Sequence, residues 1–297
     1  MYANVPFCQK LILSWQIIPV YFTIFEVTFC VNHYIIFNSN SFPKQALTFF
    51  LFNPLALMTL ITHIKSMFTN PGYVPIPNII RVNSPNSIDN NSFSSKREKN
   101  SMENKNDPDL YCNKCHNNRP PRAHHCRVCK KCTLKMDHHC HWIANCVGYY
   151  NQKNFYQFLF YATFGDIIGF LFLVIEFLKC DKSLQNNIPK GVQVASPFEL
   201  FYYMWTPIHL FIGTLCALSM SIGIGTIFIK QTKMLLNNQT TIDKKKYLNW
   251  RESPFYEVDR MKSFRSVMGK TVFDWFQLEF DTGEIKKTKQ VSILESR

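Results

Sequence analysis

The apolar residues of this chain fall in long unbroken blocks rather than in amphipathic periods, and this limits the possible folds more than any other feature. Four stretches, 11–37, 46–68, 155–178 and 203–229, reach the ~20 residues that a helix needs to cross a hydrocarbon layer of ~30 Å. Little of the 297-residue chain is left to build a soluble core. The first block starts about ten residues after Met1, exceeds the length of a signal-peptide core and has no small-x-small cleavage site after it. It reads as a retained span. The expected fold class is an α-helical integral membrane protein with four transmembrane helices.

The formal charge of +13 raises the question of nucleic acid, but its distribution answers it. Of the 33 Lys and Arg residues, 28 lie in 65–154 and 230–297, the segments between the second and third blocks and after the fourth. Basic segments stay on the cytoplasmic side of a membrane, and four spans return a chain to its starting side. The N-terminus (1–10), the segment between spans two and three, and the tail (230–297) are therefore expected in the cytosol, with 179–202 as a lumenal loop. The charge reads as a topology signal, with no nucleic-acid partner. Lys244, Lys245 and Lys246 could also meet anionic headgroups.

Within the cytosolic segment, 69–110 opens with Asn70-Pro71-Gly72, continues through Asn, Ser and Pro, and reads as a linker, disordered over about 83–106. From Tyr111 to Phe155 the composition turns to Cys, His, Arg and Lys, too poor in aliphatic residues for an ordinary core and suited to a module stapled by metal. Of the eleven cysteines, seven lie between Cys112 and Cys146, on the reducing side of the membrane, where metal binding is a better default than disulfides. Inside the spans, Gly213, Ala217, Ser221 and Gly225 place small side chains along one face of the last helix, and Gly165 and Gly169 form a shorter pair, as close helix packing requires. Glu26, Asp166, Glu176 and His209 are ionisable groups at membrane depth; they are expected to face the bundle or the headgroups, a proton path or polar substrate site being the alternative.

The cysteine-rich segment reads Cys112-x2-Cys115, then His124, His125 and Cys126-x2-Cys129-x2-Cys132, then Asp137-His138-His139-Cys140-His141-Trp142 and Asn145-Cys146. Two close cysteine pairs followed by later Cys and His residues is zinc-site spacing. Two tetrahedral ions need eight ligands, and seven cysteines and six histidines supply more than that. Cys112 with Cys115, and Cys126 with Cys129, read as chelating pairs, but spacing does not say which later residue is left free. A nucleophilic thiol needs a base, something to orient the base, and freedom from metal. Cys140, preceded by two histidines and an aspartate, meets the first two needs, yet an Asp-His-His-Cys run inside a zinc module could equally be ligands alone.

The stretch from Tyr111 to Phe155 resembles, nearly residue for residue, the cysteine-rich domain of the DHHC family of protein S-acyltransferases. The matching residues are Arg119-Pro120, Arg122, His124-His125-Cys126, Met136, Asp137-His138-His139-Cys140, Trp142, Asn145-Cys146-Val147-Gly148, Asn151 and Phe155. The plan of two spans, a cytosolic module, two spans and a tail is similar too. Asn70-Pro71-Gly72 looks like the family's Asp-Pro-Gly, and Thr240-Thr241-Ile242-Asp243 like its Thr-Thr-x-Glu.

The resemblance implies two structural zinc ions, one on Cys112, Cys115, His125 and Cys132, the other on Cys126, Cys129, His139 and Cys146, which leaves Cys140 free. It implies a two-step exchange in which Cys140 takes the acyl group from a long-chain acyl-CoA, palmitoyl-CoA above all, and passes it to a cysteine of a membrane-associated protein. His138 becomes the base and Asp137 its orienting carboxylate. The acyl chain needs a cavity among the spans, Trp142 suits its mouth or simple interfacial anchoring, and Arg119, Arg122, Arg127, Lys130, Lys131 and Lys135 are candidate contacts for the CoA headgroup. Golgi or endoplasmic reticulum is the expected membrane by family, with the plasma membrane or a specialised secretory organelle as alternatives.

Departures from the family pattern are His141, where proline is usual after the reactive cysteine, Asn70, Asp243, and Ser263 in a tail segment (254–269) only loosely like the family's C-terminal motif. His141 could be inert, compete with His138, or disturb metal loading. Two non-enzymatic readings stand beside the enzyme: a RING-type module, against which only Cys146 follows Cys140, and a silent membrane scaffold of the same fold.

Overall fold

The computed structural model describes residues 15–37, 41–74, 110–187 and 197–277. The expected cytosolic N-terminus, most of the linker, the centre of the lumenal loop and the last twenty residues lie outside this set.

Helix α1 (Ile17–Val31) continues into a π-helical segment, Asn32–Phe37. Phe42–Leu47, a π-helical turn over Thr48–Phe52, and Asn53–Phe68 join into one helix, α2 (Phe42–Phe68). After the cysteine-rich segment come α3 (Gln152–Asn187) and α4 (Pro197–Leu236), then short tail helices α5 (Thr241–Lys246), α6 (Arg260–Met268) and α7 (Val272–Phe276). Three of these are long and apolar enough to cross a membrane: Phe42–Phe68, Gln152–Lys179 and Trp205–Leu236. The outer helices carry large apolar side chains facing outward, among them Phe25, Phe50, Leu171, Ile208 and Ile222. Such a surface is stable where the solvent is lipid.

Helices α3 and α4 extend beyond the predicted apolar blocks at the module end. The extra turns are polar, and they carry contacts: Gln152, Lys153 and Asn154 are buried at the start of α3, and Gln231 is buried near the end of α4. The small residues do what their spacing suggests. A Cβ at Gly213 would stand 2.7 Å from Cys30 Sγ, and one at Gly169 would stand 3.0 Å from Val27 Cγ1. Both glycines let α1 approach its neighbours closely. The core at this level is Val27, Cys30, Val31, Ile35, Phe52, Leu173, Leu210 and Ala217.

The cysteine-rich segment folds into three two-stranded antiparallel hairpins: β1 (Tyr111–Cys112) with β2 (Asn117–Asn118), β3 (His124–Cys126) with β4 (Lys131–Thr133), and β5 (His138–Cys140) with β6 (Asn145–Val147). The expected linker is ordered at its start. Asn70 Oδ1 accepts from the backbone N–H groups of Gly72 (2.9 Å) and Tyr73 (3.1 Å), and Gly72, at φ +101°, accepts from Leu134 N (2.8 Å). A left-handed φ of that kind favours glycine. Gly148 seals the same seam, since a Cβ there would lie 2.5 Å from Pro71 O.

The module is fastened to the end of α2 by a side-chain amide. Asn145 Nδ2 lies within hydrogen-bonding distance of the carbonyls of Ser66 (3.3 Å), Met67 (3.1 Å) and Thr69 (2.9 Å). These are the carbonyls that a helix C-terminus leaves without partners. Asn151 adds a second clamp, from Nδ2 to Ser66 O (3.3 Å) and Cys146 O (2.7 Å).

Candidate active site

Period-two alternation in the hairpins distributes the side chains. In β3–β4, His125 pairs directly with Cys132; in β5–β6, His139 pairs directly with Cys146. Each His–Cys pair is completed by the chelating cysteines of the preceding turn, giving the groups Cys112, Cys115, His125, Cys132 and Cys126, Cys129, His139, Cys146. The two turns match: the residue after each second cysteine, His116 or Lys130, has a positive φ of 50° or 56°. β3 feeds both groups, His125 one and Cys126 the other, so the hairpins interlock.

The donor atoms are spaced for an ion. Sulfur–nitrogen separations run from 3.2 Å (Cys115 to His125) to 4.0 Å (Cys132 to His125), with Cys129 Sγ 3.5 Å from Cys146 Sγ. A tetrahedral ion with bonds of ~2.0–2.3 Å sets its ligands about 3.5–3.7 Å apart. Both groups could therefore hold a metal, and they are the two ligand sets that the family resemblance implied.

On β5 the same alternation turns His139 toward the second group and sends His138 and Cys140 to the other face. There His138 Nδ1 lies 2.7 Å from Asp137 Oδ2, which leaves Nε2 available to the thiol of Cys140, a residue on the same face of β5. The ring packs edge-on against Phe155, with centroids 5.5 Å apart. Cys140 is buried among Ile143, Val147, Phe155 and Phe158 and forms no disulfide.

Asp137 is 2% exposed and fully partnered. Besides His138, Oδ2 accepts from Gln231 Nε2 (2.9 Å) and Oδ1 accepts from Thr241 N (2.5 Å). Burial alone would raise its carboxyl, but the His138, Thr241 and Gln231 contacts hold it below the usual carboxylate range. Burial would likewise lower His138; its contacts with Asp137 and Cys140 outweigh that and push it up to about 9. The arrangement favours an imidazolium beside the thiol, the environment that makes a cysteine reactive.

The tail motif supplies Thr241 N. Thr240 and Asp243 form a capping box that starts α5, with Thr240 Oγ1 accepting from Asp243 N and Asp243 Oδ2 accepting from Thr240 N. The same Asp243 Oδ2 takes Arg122 at 2.6 Å and 3.1 Å, and Arg122 also reaches Asn238 O (2.8 Å). Asp243 thus docks on the module despite being one methylene shorter than the usual glutamate. Arg122, so engaged, is removed from the candidate CoA contacts. Lys135 is half-buried: burial and Arg122 push it down to about 8, against the pull of Asp243 and Asp137. Lys131 lies over the Tyr73 ring at 4.9 Å, whereas Arg127 and Lys130 are exposed.

A cavity of about 620 Å³ opens at Cys140 and runs down between the helices, lined by Phe155, Phe158, Leu159, Ala162, Val27 and Ile224 among others. His141, Trp142 and Lys230 also line it, and Asp166 is the carboxyl on its α3 wall. Trp142 is half-exposed, and its carbonyl lies 3.1 Å from Nε2 of the fully buried His63. The exposed His141 stacks edge-on against His139 at 5.1 Å. Of the other ionisable groups at depth, Glu176 pairs with Lys44 (2.7 Å) and Lys179 (2.8 Å), and Glu26 with His209 (3.2 Å). They face the bundle or its end, as expected of ionisable groups at that depth.

Sequence reasoning missed Gln231, His63, Lys230 and the Thr241 amide. Each acts from a distant segment, and only Thr241 stood in a motif. Ser263 is buried on α6, where it helps seat the tail against α3 and α4, and its hydroxyl has no hydrogen-bond partner.

A thiol at the mouth of an apolar cavity, on a metal-type module bolted to membrane-length helices, is the arrangement of a membrane protein that brings a nucleophile to a long apolar substrate. Comparison with known families matches residues 105–248 to DHHC palmitoyltransferase. Probable protein S-acyltransferase 12 of Arabidopsis thaliana is 31% identical over 256 residues, 84% of this chain and 79% of that one. Palmitoyltransferase ZDHHC7 of Rattus norvegicus is 34% identical over 260 residues, 87% and 73% of the two chains. Palmitoyltransferase ZDHHC3-A of Danio rerio is 31% identical over 81% of this chain and 67% of its own. The chain belongs to the DHHC palmitoyltransferase family and is an acyltransferase.

Proposed function

We propose that this acyltransferase is a protein-cysteine S-palmitoyltransferase that carries the acyl group on Cys140. The observation that carries the reading is the junction of the His138–Asp137 pair, the Cys140 thiol and the mouth of the apolar cavity. The Cys140 thiolate attacks the thioester carbonyl of palmitoyl-CoA, and the CoA thiolate leaves with the proton held by His138. A protein thiol then gives its proton to His138 as it attacks acyl-Cys140, and the Cys140 thiolate is regenerated. Asp137 fixes the His138 tautomer and stabilises the imidazolium. About fourteen methylenes of a palmitoyl chain, at ~0.8 kcal/mol each, give an upper bound of ~11 kcal/mol for burial in the cavity. Lys230, Arg127 and Lys130 are the cations open to the CoA headgroup.

Two zinc ions fit the Cys3His groups, which offer borderline and soft donors and no position for substrate. Both ions would be structural, holding β5 in register so that Cys140 meets the cavity. Four spans, with α1 and its π-helical extension as the first, set the module, the N-terminus and the tail in the cytosol. The domain limits follow: spans at 11–37, 46–68, 155–178 and 203–229, linker at 69–110, catalytic module at 111–155, lumenal loop at 179–202 and tail at 230–297. The module end of the bundle supports this, since Ile17, Met67 and Ala144 pack together there. Palmitoyl-CoA, membrane-associated proteins with accessible cysteines, and the bilayer are the partners; Golgi or endoplasmic reticulum is the membrane.

The test is incubation of zinc-loaded protein with labelled palmitoyl-CoA. A hydroxylamine-sensitive adduct that is absent from Cys140→Ser is the expected result; no adduct on zinc-replete wild type would favour the silent scaffold.

A further inference from the structure

A third group of metal-ligating side chains lies outside the module. Glu26 and Cys30 stand one turn apart on α1, and His209 faces them from α4. Cys30 Sγ is 3.6 Å from Glu26 Oε1 and 3.5 Å from His209 Nδ1, and His209 Nε2 is 3.2 Å from Glu26 Oε1. Cys30 thus meets Nδ1 and Glu26 meets Nε2 of His209; an ion takes one of the two nitrogens, and the three donor atoms so chosen lie within 4.8 Å of one another. Glu26 and Cys30 are buried, and the His209 side chain is 15% exposed.

Two further donors share these faces. His33 follows on the next turn of α1, within electrostatic reach of His209, and Cys216 lies two turns along α4, packed against the core that holds Cys30. Gly213, between His209 and Cys216, has no side chain, so the backbone of α4 comes right up to the Cys30 sulfur. The π-helical segment of α1 begins at Asn32, immediately beyond Cys30, and includes His33. Such local widening is frequent at functional sites. Cys30 is thirteen residues past Ile17, about 20 Å along α1 from the module end.

We propose that Glu26, Cys30 and His209 bind a divalent transition ion, zinc foremost, within the membrane-spanning bundle, clamping α1 to α4 at the end remote from Cys140. Charge is the physical reason. One carboxylate, one thiolate and one neutral imidazole around a dication sum to zero, so binding buries no net charge among apolar helices. Cys30 releases its thiol proton as the ion enters. Oxygen, sulfur and nitrogen donors suit zinc and exclude the all-oxygen shells of magnesium and calcium. Three protein ligands leave a fourth position, open to water or to Cys216. The proposal does not depend on the acyl-transfer reading, because none of its ligands touches Cys140 or His138.

The experiment is elemental analysis of full-length protein purified in detergent with zinc present and then desalted. Wild type is expected to hold three zinc ions per chain, and Glu26→Gln, Cys30→Ser and His209→Gln two each. Two ions in the wild type, or three in all three variants, overturns the proposal. A second measurement needs no substitution: wild type brought to two zinc ions with a mild chelator is titrated with Co2+. A thiolate-to-cobalt charge-transfer band saturating at one equivalent is expected; no band overturns the site.

Discussion

Gln231→Leu removes one of the donors to Asp137 while keeping the volume at a buried position. The bond lost is Nε2 to Oδ2 at 2.9 Å, between side chains both under 10% exposed. A hydrogen bond to a charged group is worth ~1.5–3 kcal/mol, but only the part that keeps Asp137 ionised, and so His138 cationic beside the thiol, bears on self-acylation. Asp137 keeps His138 at 2.7 Å and Thr241 N at 2.5 Å. The expected loss is therefore about tenfold in rate, ~1.4 kcal/mol. Single-turnover self-acylation with a fluorescent palmitoyl-CoA measures it, with zinc content and thermal midpoint measured in parallel. Gln231→Glu sharpens the test: protonated, it still donates to Asp137; ionised, it repels it. Its rate relative to Gln231→Leu is expected to rise as pH falls. A Gln231→Leu rate within twofold of wild type, or a loss that only tracks lost zinc, would refute the argument.

Arg122→Met leaves Asp243 as a buried carboxylate without its ion-pair partner, in a pair whose side chains are 10% and 3% exposed; a loss of ~3–5 kcal/mol is expected, read in the thermal midpoint together with a fall in self-acylation as Thr241 drifts from Asp137. A raised histidine contributes stability that is complete below its ordinary value near 6.5 and is lost as pH rises through its folded value, about 9 for His138. The midpoint of wild type is thus expected to fall across pH 6.5–9 by more than that of Asp137→Asn, and equal slopes would remove the pair from the account. His141→Pro is expected to leave zinc content unchanged and self-acylation within about threefold, roughly 0.7 kcal/mol, since the His141 ring packs edge-on against His139; a larger loss would make it a participant.

Apolar blocks and Cys–His spacing made much of the fold legible before any coordinates. Three membrane-length helices fall on the predicted second, third and fourth blocks, and both metal groups are those implied by the family resemblance. His138 and Cys140 share one face of β5, and Asp137 immediately precedes that strand. What could not be read was long-range. Gln231 is an ordinary polar residue near a helix end until α4 brings it to Asp137, and Asn145 looked like part of a motif until its amide met the end of α2. The cluster of Glu26, Cys30 and His209 joins residues far apart in sequence, and hydropathy registers them only as isolated polar interruptions. Asn70-Pro71-Gly72 is turn-forming by composition, but composition does not say that the turn docks against Leu134 and Gly148.

The two faces of β5 carry a consequence for how the enzyme comes into being. One residue, His139, belongs to a group that could hold a metal, while its neighbours His138 and Cys140 line the cavity. A strand cannot turn one face without turning the other. On the proposed function, a newly made chain would gain a competent thiol only once metallated, and a shortage of the ion in the cell would silence acylation before any inhibitor reached the cavity.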